Sequence, residues 1–106
     1  MKYRIEFLDA ATKDLKKIDG SVARRVLETI IEKLSQDPKQ PGQPLKGKVT
    51  GFWRLRVGDY RVVYRILEDK VLVLVVKVGH RKSVYRELFS RVQQMKSKVN
   101  SIQEEN

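Results

Sequence analysis

Four arginines, Arg54, Arg56, Arg61 and Arg65, flank Gly58-Asp59 in the stretch GFWRLRVGDYRVVYRIL. Gly-Asp between two alternating runs is a two-residue hairpin signal, and the length of the turn sets the register. The predicted pairs are Val57 with Tyr60, Arg56 with Arg61, Leu55 with Val62, Arg54 with Val63 and Trp53 with Tyr64. One side then carries Trp53, Leu55, Val57, Tyr60, Val62 and Tyr64, a core face, and the other displays Phe52 and the four arginines. Like charges directly across a ladder destabilise it by about 0.2–1 kcal/mol. A phosphate seated among the guanidinium groups removes that repulsion, because arginine binds phosphate bidentately and stays charged at any working pH.

Downstream lies VLVLVVKVGHRKSVY, a third strand that ends beside the Arg61 end of the hairpin at Gly79-His80-Arg81. Its register depends on its loop. A three-residue turn at Glu68-Asp69-Lys70 puts Lys77 and Arg81 on the basic face, whereas a two-residue turn puts His80 there. Tyr85 follows Arg81 by one helical turn, so both can serve one site. Cations to stabilise a pentacovalent phosphate, with Tyr and His to move protons and no metal, are the equipment of a metal-independent ribonuclease. In such an enzyme the RNA's own 2′-OH attacks the adjacent phosphorus, which also explains a preference for RNA over DNA.

The elements that must position these residues can be read from pattern. Tyr3–Phe7 alternates as a short strand, and Asp9 is a candidate N-cap for a first helix to about Ile18. Ser21 is expected to cap a second helix with Ala23, Val26, Leu27, Ile30 and Leu34 on one face, ended by Asp37-Pro38 and a loop over Lys39–Pro44. Strands follow at about Lys48–Val57, Tyr60–Leu67 and Val71–Val78. From Ser83 onward Val84, Leu88, Val92, Met95, Val99 and Ile102 recur every three or four residues, which predicts one long amphipathic helix with a frayed tail at Gln103–Asn106. The fold class is α+β, in the order β-α-α-β-β-β-α, with helices on one face of a mostly antiparallel four-stranded sheet. Residues 1–106 form a single domain, with 90–106 an extension of the last helix plus tail.

Charge singles out the same segment. Residues 39–82 hold 11 Lys/Arg against 3 Asp/Glu, so they carry +8 of the net +10 and point to a polyanionic partner. No Cys is present, which excludes disulfides and thiolate metal sites, and a single His makes a protein metal centre a poor reading. No cofactor is expected. The start has charges within its only apolar stretch, and the longest apolar run is six residues, Val71–Val76. A cytoplasmic protein without a membrane partner is therefore expected.

The stretches LKGKVTGFWRLRVGDYRVVYRI and VLVLVVKVGHRKSVY, preceded by β-α-α, resemble the RelE toxins of type II toxin–antitoxin pairs, within the RelE/ParE superfamily, over about residues 2–89. The resemblance implies an mRNA interferase that enters the A site of the 70S ribosome and cuts the mRNA there, leaving a 2′,3′-cyclic phosphate. It implies that Arg61 and Arg81 hold the scissile phosphate, with Arg81 assisting the leaving group, and that Tyr85 stacks on a base and transfers a proton. Arg54 and Phe52 fall where the best-known member has two lysines; the Arg keeps the charge but is a poor base, and Phe52 can only stack. Tyr85 and His80 are thus both candidates for the general base. Lys46, Lys48, Arg56, Arg65, Lys77 and Lys82 join Phe52 as RNA-binding candidates.

The partner implied is an acidic RelB-like antitoxin that wraps the toxin and contacts the last helix. The apolar stripe beyond Phe89, at Val92, Met95, Val99 and Ile102, is expected to be its surface. Two alternatives use the same fold: a ParE-like gyrase inhibitor, and a non-catalytic RNA- or ribosome-binding module.

Overall fold

A computed structural model describes residues 2–95. Strand β1 (Arg4–Phe7) leads into α1 (Asp9–Lys16) and α2 (Gly20–Thr29), which a π-helical turn continues over Ile30–Leu34. The short strand β2 (Gln43–Pro44) precedes β3 (Phe52–Val57), β4 (Tyr60–Leu67) and β5 (Leu72–His80). A last helix, α3, occupies residues 88–95 at the end of the described chain. The sheet order is β1-β5-β4-β3-β2, antiparallel except where β1 runs parallel to β5.

The sheet has five strands rather than the four expected. The extra one is two residues long at a sheet edge, and one of the two is Pro44, so there is no alternation to read. The capping of α2 also differs: Asp19 is the N-cap, accepting from the Ser21 backbone N–H at 3.1 Å and from the Ser21 hydroxyl at 2.7 Å. Those bonds stabilise the carboxylate and hold its pKa below the usual value.

The hairpin register is the predicted one, with Arg56 opposite Arg61 and Trp53 opposite Tyr64. Its core face is covered by α1 and α2: Ala11, Val26, Ile30 and Leu34 meet Leu55, Val57, Val62, Tyr64, Val73, Val75 and Val78. The other face is divided. Its half distant from the hairpin turn is apolar, through Phe52, Val63 and Val76, and α3 lies on it with Leu88, Val92 and Met95. The helices therefore occupy both faces, not one. Val92 and Met95 belong to the protein's own core rather than to an open partner stripe. Val99, Ile102 and the predicted tail lie outside the described residues.

Nor is the last helix continuous from Ser83. Residues 81–87 form successive turns, and Glu87 takes a left-handed conformation (φ 60°) before α3 begins. Among the described residues no helix is long and apolar enough to cross a membrane.

One ion pair joins the two faces across a sheet edge. β1 pairs with β5 only as far as Val75, so the backbone of β5 beyond it has no strand partner on that side. There Asp14 of α1 accepts from the Val78 N–H at 2.9 Å, while Arg91 of α3 donates to the Val76 carbonyl at 3.3 Å. Asp14 and Arg91 also bind each other through two hydrogen bonds. Their side chains are only 10% and 20% exposed, so removing one partner leaves a poorly hydrated charge behind. Asp14→Ala is expected to lower stability in urea unfolding by about 2–3 kcal/mol, below the range for a fully buried pair. A loss under about 0.5 kcal/mol, the ordinary surface range, would show that the clip carries no load.

Candidate functional site

The uncovered half of the second face holds Arg54, Arg56 and Arg61. With Pro41 and Gln43 they line a cleft of about 310 Å³. The rows of the sheet explain the grouping. Arg56 and Arg61 share a row with Gly79, and Arg54 lies in the next row with Val63 and Lys77.

Arg54 is fixed from two directions. Its Nε and Nη2 donate to Gln43 Oε1 at 3.2 and 2.7 Å, and its Nη1 donates to the Tyr85 hydroxyl oxygen at 3.1 Å. The latter bond uses an oxygen lone pair, so the Tyr85 O–H remains free to donate elsewhere. Gln43 is itself held by its loop, because the buried Tyr64 hydroxyl donates to the Pro38 carbonyl at 2.6 Å. Burial pushes the Tyr64 phenol far above its usual range, so it stays a donor. Gly42 packs so closely on that hydroxyl that a Cβ there would stand 1.9 Å from it.

Arg61 and Arg81 each contact the hairpin turn, Arg61 as part of the cleft lining and Arg81 outside it. Arg61 Nη1 donates to the carbonyls of Gly58 and Tyr60, both at 3.0 Å. The Arg81 backbone N–H donates to the Asp59 carbonyl at 2.7 Å, and its side chain approaches the Asp59 carboxylate at 3.9 Å. Gly79 lets the turns of residues 81–87 run close to the sheet, since a Cβ at Gly79 would come within 3.3 Å of the Val84 backbone. Tyr85 thereby reaches Arg54 while 41% of it stays exposed.

Several predicted site residues lie elsewhere. Four residues, 68–71, separate the paired Leu67 and Leu72, and a β-bulge between Val63 and Tyr64 shifts the register again. The result puts Lys77 in the Arg54 row and His80 opposite Tyr60, on the row that carries the core face. There the His80 ring meets Tyr60 edge to face with centroids 5.6 Å apart, and its Nδ1 accepts from the Lys82 N–H at 3.2 Å. His80 therefore lies in the row of Tyr60 and not among the residues lining the cleft, a position that speaks against its expected role as a general base. Phe52 is 2% exposed beneath α3 and has no surface on which a base could stack, a second correction.

Lys77 is partly buried rather than a free cation. Burial first, then the nearby Arg91, lower its pKa, while Asp14 and Glu87 oppose the shift. Arg65 sits beside Phe52 and Leu74, two rows from the Arg56–Arg61 row, and is not part of the cleft lining. Lys46, Lys48 and Lys82 are exposed, the first two in the loop ahead of β3 and the third just after Arg81. Gln43 and Pro41 were not legible as site residues, because a proline-rich loop carries no periodicity that would aim them. Among the described residues no group of three or more His, Cys, Asp or Glu could hold a metal ion.

Residues 5–85 match the family described as the ParE toxin of the type II toxin–antitoxin system parDE. The chain is 34% identical to Toxin RelG of Mycobacterium tuberculosis over 86 residues, covering 81% of this chain and 99% of that protein. It is 30% identical to the mRNA interferase toxin RelE of Escherichia coli over 95 residues, covering 87% and 99%. The toxin–antitoxin complex RelBE2 of M. tuberculosis contains a chain that superposes with a TM-score of 0.74 at 32% identity, covering 76% of this chain and all of that one.

If Arg54, Arg56 and Arg61 contact three phosphates of a single strand, log K for an RNA oligonucleotide should fall against log[salt] with a slope of about −2. Arg56→Ala should make that slope shallower by about 0.7 in a fluorescence-polarisation titration. An unchanged slope would remove Arg56 from the interface.

Proposed function

The chain belongs to the RelE/ParE family of toxins from type II toxin–antitoxin systems, and on that premise we propose that it is a metal-independent endoribonuclease cutting mRNA in the ribosomal A site. The observation that carries this reading is the bond from Arg54 to Tyr85 beside the arginine cleft. It sets a proton-transfer group next to clustered guanidinium groups, which a surface for protein binding alone would not need. The naming of a relative as an mRNA interferase supports the same reading.

In the proposed reaction the ribose 2′-OH attacks the adjacent phosphorus. The P–O2′ bond forms and the P–O5′ bond breaks, leaving a 2′,3′-cyclic phosphate and a 5′-hydroxyl. Negative charge grows on the phosphoryl oxygens in the transition state. Cations already fixed at that place stabilise it without reorganising at the moment of reaction. Arg61 and Arg81 at the hairpin turn and Arg54 and Arg56 along β3 are those cations. In this proposal Tyr85, held by Arg54, takes the proton from the attacking 2′-OH and returns one to the leaving O5′, directly or through water. The placement of His80 opposite Tyr60 supports Tyr85 over His80 for this role.

The proposed inhibitory partner is an acidic antitoxin that covers this basic cleft and touches α3. Its support is that the superposed M. tuberculosis structure is a toxin–antitoxin complex.

The reading is tested by incubating the protein with programmed ribosomes and mapping 5′ ends. Cuts confined to the A-site codon are expected. Tyr85→Phe should slow them by about 10²-fold or more, and Arg61→Ala by a similar factor. His80→Gln should stay within about tenfold of wild type, since a proton-transfer group contributes 10²-fold or more. A loss of about 10²-fold in His80→Gln would return the proton step to that residue. No cuts, with DNA gyrase supercoiling inhibited instead, would replace the nuclease by a gyrase poison.

A further inference from the structure

Phe89 has no part in the core or in the cleft, yet it is held in a defined place. Its neighbours in α3, Leu88 and Val92, are buried against the sheet, whereas Phe89 is 44% exposed. Among the described residues the other large exposed apolar side chains are Tyr85, already bonded to Arg54, and, across the sheet, Leu27 on α2 and Ile31 in the π-helical turn that continues it. The ammonium of Lys48 lies 5.3 Å from the centroid of the Phe89 ring, a cation–π contact. Lys48 sits in the short 3-10 turn Gly47–Val49, which Leu45 and Val49 pin to the same apolar cluster as α3. Both members of the pair are therefore anchored, and both are exposed.

An open aromatic ring beside an anchored ammonium is suited to one nucleotide of a single strand. The ring stacks on any base, and the cation meets the adjoining phosphate. A purely structural Phe would turn inward like Leu88, and a purely solvating lysine would not be held over a ring. We propose that Phe89, four residues after Tyr85 in the chain, forms with Lys48 a base-stacking subsite that extends the RNA track along the start of α3. This rests on the nuclease reading in taking RNA as the ligand. It adds a residue that sets which neighbouring base is gripped and how firmly.

The probe is an mRNA on programmed ribosomes, 2′-O-methylated at the cleavage nucleotide so that it binds uncut, with 2-aminopurine placed in turn at the flanking positions. Stacking on Phe89 should quench the fluorophore at one position. Phe89→Ala should abolish that quenching and weaken binding about tenfold, while Phe89→Trp restores both. Because Phe89 lies outside the core, the thermal melt of the variant should match wild type, which separates lost stacking from lost folding. Quenching and affinity that survive Phe89→Ala would overturn the proposal. Unmodified mRNA is assayed in parallel. If it is cut normally while Phe89 has no effect, stacking falls and the nuclease stands. If it is never cut while quenching still depends on Phe89, the nuclease falls and the subsite stands.

Discussion

Where β1 ends, at Phe7 opposite Val75, the outer edge of β5 runs on without a strand beside it, and the Asp14–Arg91 pair closes that gap. An open edge of this kind invites pairing with another chain. Here a carboxylate from one face and a guanidinium from the other satisfy the Val78 N–H and the Val76 carbonyl. The same two side chains fix α1 and α3 relative to the sheet. Since α3 follows directly from residues 81–87, its position on Phe52, Val63 and Val76 governs where Tyr85 arrives. Tyr85 is thus positioned by an ion pair on another strand edge.

The divided face is the second constraint. Phe52 and Val63 demand a cover, and α3 supplies it. Arg54, Arg56 and Arg61 cannot be covered by an apolar helix, so that half stays open as the cleft. Setting Arg56 opposite Arg61 costs stability, as like charges across a ladder do. Arg61 is partly relieved by donating to the Gly58 and Tyr60 carbonyls, which leaves it oriented and still charged. That is the arrangement a fixed phosphate-binding surface requires: cations that need not move when charge develops.

Much of this was legible in the sequence, and for a definite reason. Gly58-Asp59 determined the hairpin register, and with it the row placing Arg56 against Arg61. The α+β order followed from periodicity. What escaped were features set by tertiary packing. The bulge between Val63 and Tyr64, which turned His80 toward Tyr60, leaves no trace in an unbroken Val-rich run. Phe52 sits at an alternating position beside arginines, and it is buried by packing with Val84, with Leu88, Val92 and Met95 of α3, and with Leu45 and Val49. The break at Glu87 is hidden because the four-residue spacing of Val84, Leu88 and Val92 persists through it. Gln43 depends on the Tyr64–Pro38 bond, a contact between distant residues that no local pattern announces.

The central claim is that this arginine-lined cleft directs the RNA's own 2′-OH at its phosphate without a metal. It is tested most directly by the mass of the upstream (5′) fragment, whose new 3′ end is made at the cut, released from ribosome-bound mRNA in the presence of EDTA. A fragment ending in a 2′,3′-cyclic phosphate is expected, and no product when the single ribose at the cut is 2′-deoxy. A 3′-hydroxyl end, or cleavage that persists on the 2′-deoxy substrate, would contradict it.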